Sequence, residues 1–212
     1  MMSLGYPLFL FLLSLRGLGS LELKVDLSLE ATLEGRGHLE KTFPRWGPEF
    51  HIAFDVQIKP KANWKKSGWH SVLHLTTGPD YETPSSRIPG VWLYPSKKKK
   101  FAAYLVVQMQ VNGTIHEKYY GLRGSKRKGS DNVKVDLRQK YGAFKMTVDD
   151  QRLWSQNTGE QSWQNVQFWL PSPFNLPASD VAYIKNVVVV NEPRKRRPGL
   201  ESSKSVELKS VE

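Results

Sequence analysis

No cysteine occurs among the 212 residues, and that absence closes several chemistries at once. Thiol nucleophiles, iron–sulfur clusters and cysteine-ligated zinc sites are excluded, as is any disulfide framework. No apolar run approaches the roughly twenty residues needed to span a bilayer. After residue 20 no window shows a convincing 3.6-residue apolar period, so amphipathic helices are not expected. Acidic residues are scarce too: 31 Lys and Arg stand against 20 Asp and Glu, a formal charge of +11. There is no Gly-x-Ser-x-Gly elbow and no phosphate-binding loop.

The longest apolar run is Pro7 to Leu15, PLFLFLLSL, with small residues following at Gly17, Gly19 and Ser20. Its length matches the core of a secretory leader, so residues 1–19 read as a signal peptide. The leader departs from the ideal in having no Lys or Arg before the core and Arg16 after it. The competing reading is a buried N-terminal strand or helix. A secreted, extracellular chain is therefore expected, with no transmembrane segment. What remains is long enough for one domain held by burial alone. A basic extracellular protein associates with anionic partners: sulfated glycans, acidic matrix proteins or membrane surfaces. Intracellular nucleic acid is not expected.

The prevailing period is two. Phe50, Ile52, Phe54, Val56 and Ile58 alternate with more polar residues and predict a strand with one apolar face. Phe101 to Val111 alternates in the same way, as do Val133 to Leu137, Phe144 to Val148 and Val166 to Leu170. Tyr183 to Val190 is nearly continuously apolar, which suits a central strand. Shorter candidates are Leu21 to Leu29, Trp69 to Thr76, Gly90 to Tyr94, Thr114 to Leu122 and Arg152 to Asn157. Turn signals at Asn112-Gly113, Asp149-Asp150 and Pro171-Ser172-Pro173 separate the runs. Ten or eleven short strands at this spacing predict an all-β antiparallel sandwich or barrel over residues 20–191. Residues 192–212 open with Glu-Pro-Arg-Lys-Arg-Arg-Pro and have too little apolar surface to offset ordering entropy, so they read as a basic disordered tail.

Three stretches carry a resemblance. The first is Trp69-His-Ser-Val-Leu-His-Leu-Thr-Thr-Gly78 with Arg87-Ile-Pro-Gly-Val-Trp-Leu93. The second is Tyr141-Gly-Ala-Phe-Lys-Met-Thr-Val-Asp-Asp-Gln-Arg-Leu-Trp154. The third is Trp163-Gln-Asn-Val-Gln-Phe-Trp169 with Tyr183-Ile-Lys-Asn-Val187. Together they resemble the concanavalin A-like (laminin G-like) jelly-roll domains of invertebrate secreted and extracellular-matrix proteins. The resemblance implies a concanavalin A-like sandwich, and roles in glycan binding, matrix assembly or a skeletal organic matrix. Its motifs are structural and say little about activity.

Charge is concentrated in one segment. Between Ser96 and Ser130 there are nine basic residues and a single acid, Glu117. Asn112-Gly113 favours a two-residue type I′ hairpin turn. If Val111 faces Thr114, Lys100 lies opposite Ser125 and Lys97 opposite Lys128. Lys97, Lys98, Lys99 and Lys100 then meet Arg123, Lys126, Arg127 and Lys128 at the open end of the hairpin. Such a cluster is either a solvated loop pair or an anion-binding patch, for which sulfated glycans supply suitable ligands. Asn112-Gly113-Thr114 is also an N-glycosylation sequon at an accessible tip.

Catalytic and metal residues are not predicted. His38, His51, His70, His74 and His116 lack zinc-type spacing. On a regular strand His70 and His74 would share one face about 13 Å apart, too far for a common metal. Asp149 and Asp150 suit a turn without an ion. No cofactor is implied. Glycosidases on this scaffold need closely alternating acids on one strand, and none is present. Trp163 and Trp169 are expected to share the face opposite Val166 and Phe168, where they could stack on sugars. The leading expectation is a non-enzymatic module that binds anionic glycans or matrix polymers. A structural component of an extracellular or skeletal matrix is the alternative, and a glycan hydrolase a third.

Overall fold

The computed structural model describes residues 37, 39–64, 68–78, 87–125, 129–172 and 175–192. The predicted leader, the tail, the candidate strand Leu21 to Leu29 and Lys126 to Lys128 lie outside the described residues. Within them the chain is all-β: fourteen strands and one 3-10 turn at Ala178–Asp180. No described helix is long and apolar enough to cross a membrane.

The strands are β1 Leu39–Trp46, β2 Glu49–Ile58, β3 His70–Thr76, β4 Gly90–Pro95, β5 Ala103–Val111, β6 Thr114–Leu122, β7 Gly124–Ser125 and β8 Gly129–Ser130. They continue with β9 Val133–Lys140, β10 Ala143–Val148, β11 Gln151–Asn157, β12 Trp163–Trp169, β13 Leu176–Pro177 and β14 Ala182–Glu192. One sheet runs β1-β12-β3-β4-β5-β6, with β13 added to β3. The other runs β11-β10-β9-β2-β14, and β7 and β8 form a small ribbon. The two large sheets stack as a concanavalin A-like sandwich.

Alternation explains the stacking. Phe50, Ile52, Phe54, Val56 and Ile58 are buried while their neighbours in sequence are half-exposed. They share one core with Val135 and Leu137 of β9, Phe144 and Met146 of β10, and Leu105, Val107 and Met109 of β5 in the facing sheet. Each such side chain contributes about 1.5–3 kcal/mol through burial. Phe43, Trp46 and Phe50 close one end, with Trp46 lying 4.8 Å from Phe43 and 5.3 Å from Phe50 between ring centroids.

Tight turns fix the registers. Asn112 and Gly113 both take positive φ (49° and 77°), as the type I′ expectation requires. The same device joins β9 to β10 at Tyr141 and Gly142, and β10 to β11 at Asp149 and Asp150. Asp149 Oδ1 accepts from the Lys134 backbone N–H at 2.9 Å, so this acid braces its own turn.

Three breaks in the alternation change which side chains share a face. The β3–β4 register shifts between Ser71 and Leu73. His70 therefore pairs with core-facing Leu93, whereas His74 pairs with Gly90 on the opposite face. At Asn165, whose φ is 51°, the alternation of β12 changes phase although its pairing with β1 stays in register. Trp163 pairs with Trp46 on the core side, while Trp169 pairs with His74 on the outer side, so the two indoles do not share a face. The third lies at Asn186 (φ 53°) in β14, between Ile184 and Val187, both of which pack inward. Tyr183 to Val190 is apolar because its phase slips there. The run is not a central strand: β14 ends its sheet.

Candidate functional site

The outer face of the β3-β4-β5-β6 region carries a row of aromatic side chains. Successive residues on a strand point to opposite faces, so Trp92 and Tyr94 on β4 are set opposite the core residues Val91 and Leu93. Across the ladders Tyr94 pairs with Tyr104, Trp92 with Val106, and Val106 with Tyr119. Trp69, just before β3, completes the row. Its ring is 5.0 Å from that of Tyr94 and 6.4 Å from that of Trp92. Tyr104 lies 5.5 Å from Phe101 and 6.2 Å from Tyr119.

Two glycines seat these rings on bare backbone. A Cβ at Gly90 would lie 1.9 Å from the Trp92 indole, and one at Gly121 would lie 2.5 Å from the Phe101 ring. No other residue fits beneath either ring as placed. The Trp92 indole N–H also donates to Asn175 Oδ1 at 3.1 Å. Trp92 is nearly buried, while Trp69, Tyr94, Phe101 and Tyr104 are half-buried. Tyr119, at 45% exposure, is the most open.

Beneath Trp92 sits His74, fully buried, its ring centroid 5.6 Å from the indole. Its Nδ1 lies 3.3 Å from the hydroxyl oxygen of Ser172, itself buried, whose backbone N–H donates to Ser71 Oγ. Burial, and then the Arg87 charge, push the His74 imidazole down to about 3. The ring is thus neutral at physiological pH. The Arg87 guanidinium lies 5.8 Å from the centroid of Trp92. This layer supports the aromatic face from below.

The basic residues border that face. Lys97, Lys98, Lys99 and Lys100 are all exposed in the β4–β5 turn, which begins directly after the Tyr94 level of the sheet. Ser96 Oγ accepts the Lys98 N–H, and Phe101 N donates to Lys98 O, so the turn is compact. Arg123 is exposed just past β6. The predicted hairpin register holds from Val111–Thr114 to Ala103–Leu122 and ends there. The final link is Ala102 N to Leu122 O at 2.8 Å. Lys100 is therefore not paired with Ser125, which pairs with Gly129 of β8 instead. The lysine turn and Arg123 lie at the same end of the β5–β6 pair, where Ala102 N donates to Leu122 O and Gly124 lies against Ala102. Lys126, Arg127 and Lys128 are outside the described residues.

At the other end of the face stands Glu117. Its Oε2 accepts from Gln108 Nε2 at 2.8 Å, and its Oε1 from the Tyr119 hydroxyl at 3.1 Å. The Tyr119 phenol is pushed up, first by burial and then by its bond to Glu117, so it remains a donor. At the β5–β6 tip, Asn112 is exposed and its Oδ1 accepts from Gln161 at 2.7 Å. Among the described residues no group of three acids or histidines is placed to hold a metal.

No protein-family model matches the chain, and no curated protein matches it. Solved structures do. An alginate lyase from Alteromonas sp. 272 is similar over 82% of this chain and 95% of its own, at 9% identity and a TM-score of 0.46. A heptameric SAP-like pentraxin from Limulus polyphemus is similar over 76% and 71%, at 9% identity and 0.48. The carbohydrate-binding module CBM66 from Bacillus subtilis is similar over 73% and 80%, at 14% identity and 0.40. These likenesses concern strand arrangement and carry nothing about ligand or chemistry.

The aromatic row is not among the sequence-based expectations, which placed a candidate sugar-stacking face at Trp163 and Trp169 of β12. Its signal was present. The hairpin register that placed the lysines also placed Tyr104, Val106 and Tyr119 on the face opposite the core.

Proposed function

We propose that the chain is a secreted, non-enzymatic glycan-binding module of the laminin G-like kind, which engages anionic polysaccharide. Lys97 to Lys100 and Arg123, together with Lys126 to Lys128, supply the cations. Trp69, Tyr94, Tyr104 and Tyr119 supply ring faces on which pyranose C–H edges can stack. The observation that carries the reading is the adjacency of this open aromatic row to an exposed four-lysine turn. Charge alone would give non-specific adhesion; charge beside aromatic faces gives a site with direction. Asn112 at the far tip is proposed as a glycan acceptor, clear of the basic end.

The test is retention on heparin against a plain cation exchanger of matched charge density across a salt gradient. Elution from heparin at clearly higher salt supports a shaped site, and Lys97 to Lys100 changed together to Gln should abolish the difference. Identical elution from the two resins, or an equal loss on neutralising the tail, would sink the reading.

A structural matrix component is the second reading. Its support is the long edge strand β14, where Tyr183 is 45% exposed. Concentration-dependent association that survives high salt would favour it.

A further inference from the structure

We propose that Glu117 is a specificity-determining residue of the open face, which makes it accept a glycan of alternating acidic and neutral sugars over one that is anionic on every sugar. This rests on the glycan-binding reading above.

The face is polarised. Arg123 and the lysine turn mark one end of the β4-β5-β6 region, and Glu117, six residues from Arg123 on β6, marks the other. At ~3.3 Å per residue that separation is roughly 20 Å, room for more than one sugar ring. The aromatic row lies between. Glu117 is the sole acid from Ser96 to Ser130. Its two oxygens are held by Gln108 and Tyr119. Those partners fix the carboxylate in place and leave lone pairs open to solvent, since a carboxylate offers about four acceptor positions. Gln108 and Glu117 are direct cross-strand partners, so the arrangement belongs to the rigid sheet and not to a loop.

A fixed, exposed carboxylate accepts hydrogen bonds from sugar hydroxyls and amides. It repels sulfate and uronate groups. A chain that presents an acid to the lysine end and a neutral sugar to Glu117 satisfies both ends. A chain charged on every sugar satisfies one end and is repelled at the other. A like-charge contact in water changes affinity by about fivefold.

The experiment titrates the full secreted chain, wild type and Glu117→Gln, by calorimetry at one fixed salt concentration. The ligands are a hyaluronan oligosaccharide, with a carboxylate on alternate sugars, and a heparin oligosaccharide of equal length. Glu117→Gln is expected to shift the affinity ratio toward heparin by about fivefold, and Glu117→Lys to shift it further. An unchanged ratio in both variants overturns the assignment of Glu117. The glycan reading is checked separately with Lys97 to Lys100 changed to Gln. If that variant weakens both ligands while the Glu117 variants leave the ratio fixed, only the present inference falls. If wild type binds neither ligand, or the lysine variant binds as wild type does, the glycan reading falls and this inference with it.

Discussion

Acidification should destabilise this domain through His74 before any carboxylate is involved. The unfolded imidazole takes a proton near its ordinary pKa of 6.5, whereas the buried ring resists protonation until about 3. Between those values the unfolded chain holds one more proton than the folded one. The stabilisation is therefore complete above pH 6.5 and is lost as pH falls through the window. The slope is about 1.4 kcal/mol per pH unit, which integrates to roughly 2 kcal/mol between about pH 7 and about pH 5. That is a large share of a typical total stability of about 5–15 kcal/mol. Urea unfolding followed by tryptophan fluorescence at several pH values gives the measurement, and His74→Gln is the control. The variant keeps a neutral polar side chain of similar reach, so its unfolding free energy should be flatter with pH by about 2 kcal/mol over the same interval. Slope, not intercept, is the readout, because the substitution has its own packing cost. Parallel curves for wild type and His74→Gln would refute the placement of His74 as a buried neutral group.

Four further outcomes are expected. Gly90→Ala places a methyl group 1.9 Å from the Trp92 ring and should cost about 1–3 kcal/mol, seen as a lower melting temperature and altered tryptophan fluorescence. Phe54→Ala, at a site 1% exposed, should cost about 3–5 kcal/mol in denaturant titrations. Burial raises the Asp136 carboxyl, but hydrogen bonds from His51 and Arg138 outweigh it and hold the group below its ordinary 3.8. Its stabilisation is present above 3.8 and lost as pH falls, so Asp136→Asn should cost roughly 1 kcal/mol near neutrality, with the difference shrinking below pH 3.8 in the same titration. Asn112→Gln should remove an enzymatically releasable glycan mass from protein secreted by eukaryotic cells; an unchanged mass would show that the sequon is not used.

Strands β2, β9 and β10 were legible because each buries one face and alternates without interruption, and β5 because its alternation is broken only at Val106, buried on the outer face. The Val111–Thr114 register was legible because Asn-Gly selects a turn whose twist matches the strands. Faces were not legible where the alternation changes phase. A register shift does this between Ser71 and Leu73 and at Asn186, a positive φ does it at Asn165 without a register shift, and nothing in local composition marks the three positions. His70, His74, Trp163 and Trp169 were consequently assigned to the wrong company. Strand β1 was invisible because only Phe43 and Trp46 are buried in it and Pro44 intervenes, a residue tolerated because β1 is an edge. The candidate site was half legible. The lysine turn follows from charge alone, but the aromatic row beside it required knowing which strands are neighbours across the sheet.

Gly90 and Gly121 have a consequence for recognition as well as for packing. An aromatic ring free to rotate must be immobilised when a ligand stacks on it, at about 0.5–1.5 kcal/mol per side chain. Trp92 and Phe101, held against backbone, pack on Trp69 and Tyr104, two of the rings proposed to take the ligand, and restrict them already in the folded state. That entropy is surrendered once, during folding, and not again at each encounter. A shallow, solvent-facing surface can in this way retain a flexible polymer that would slip from the same rings mounted on mobile loops.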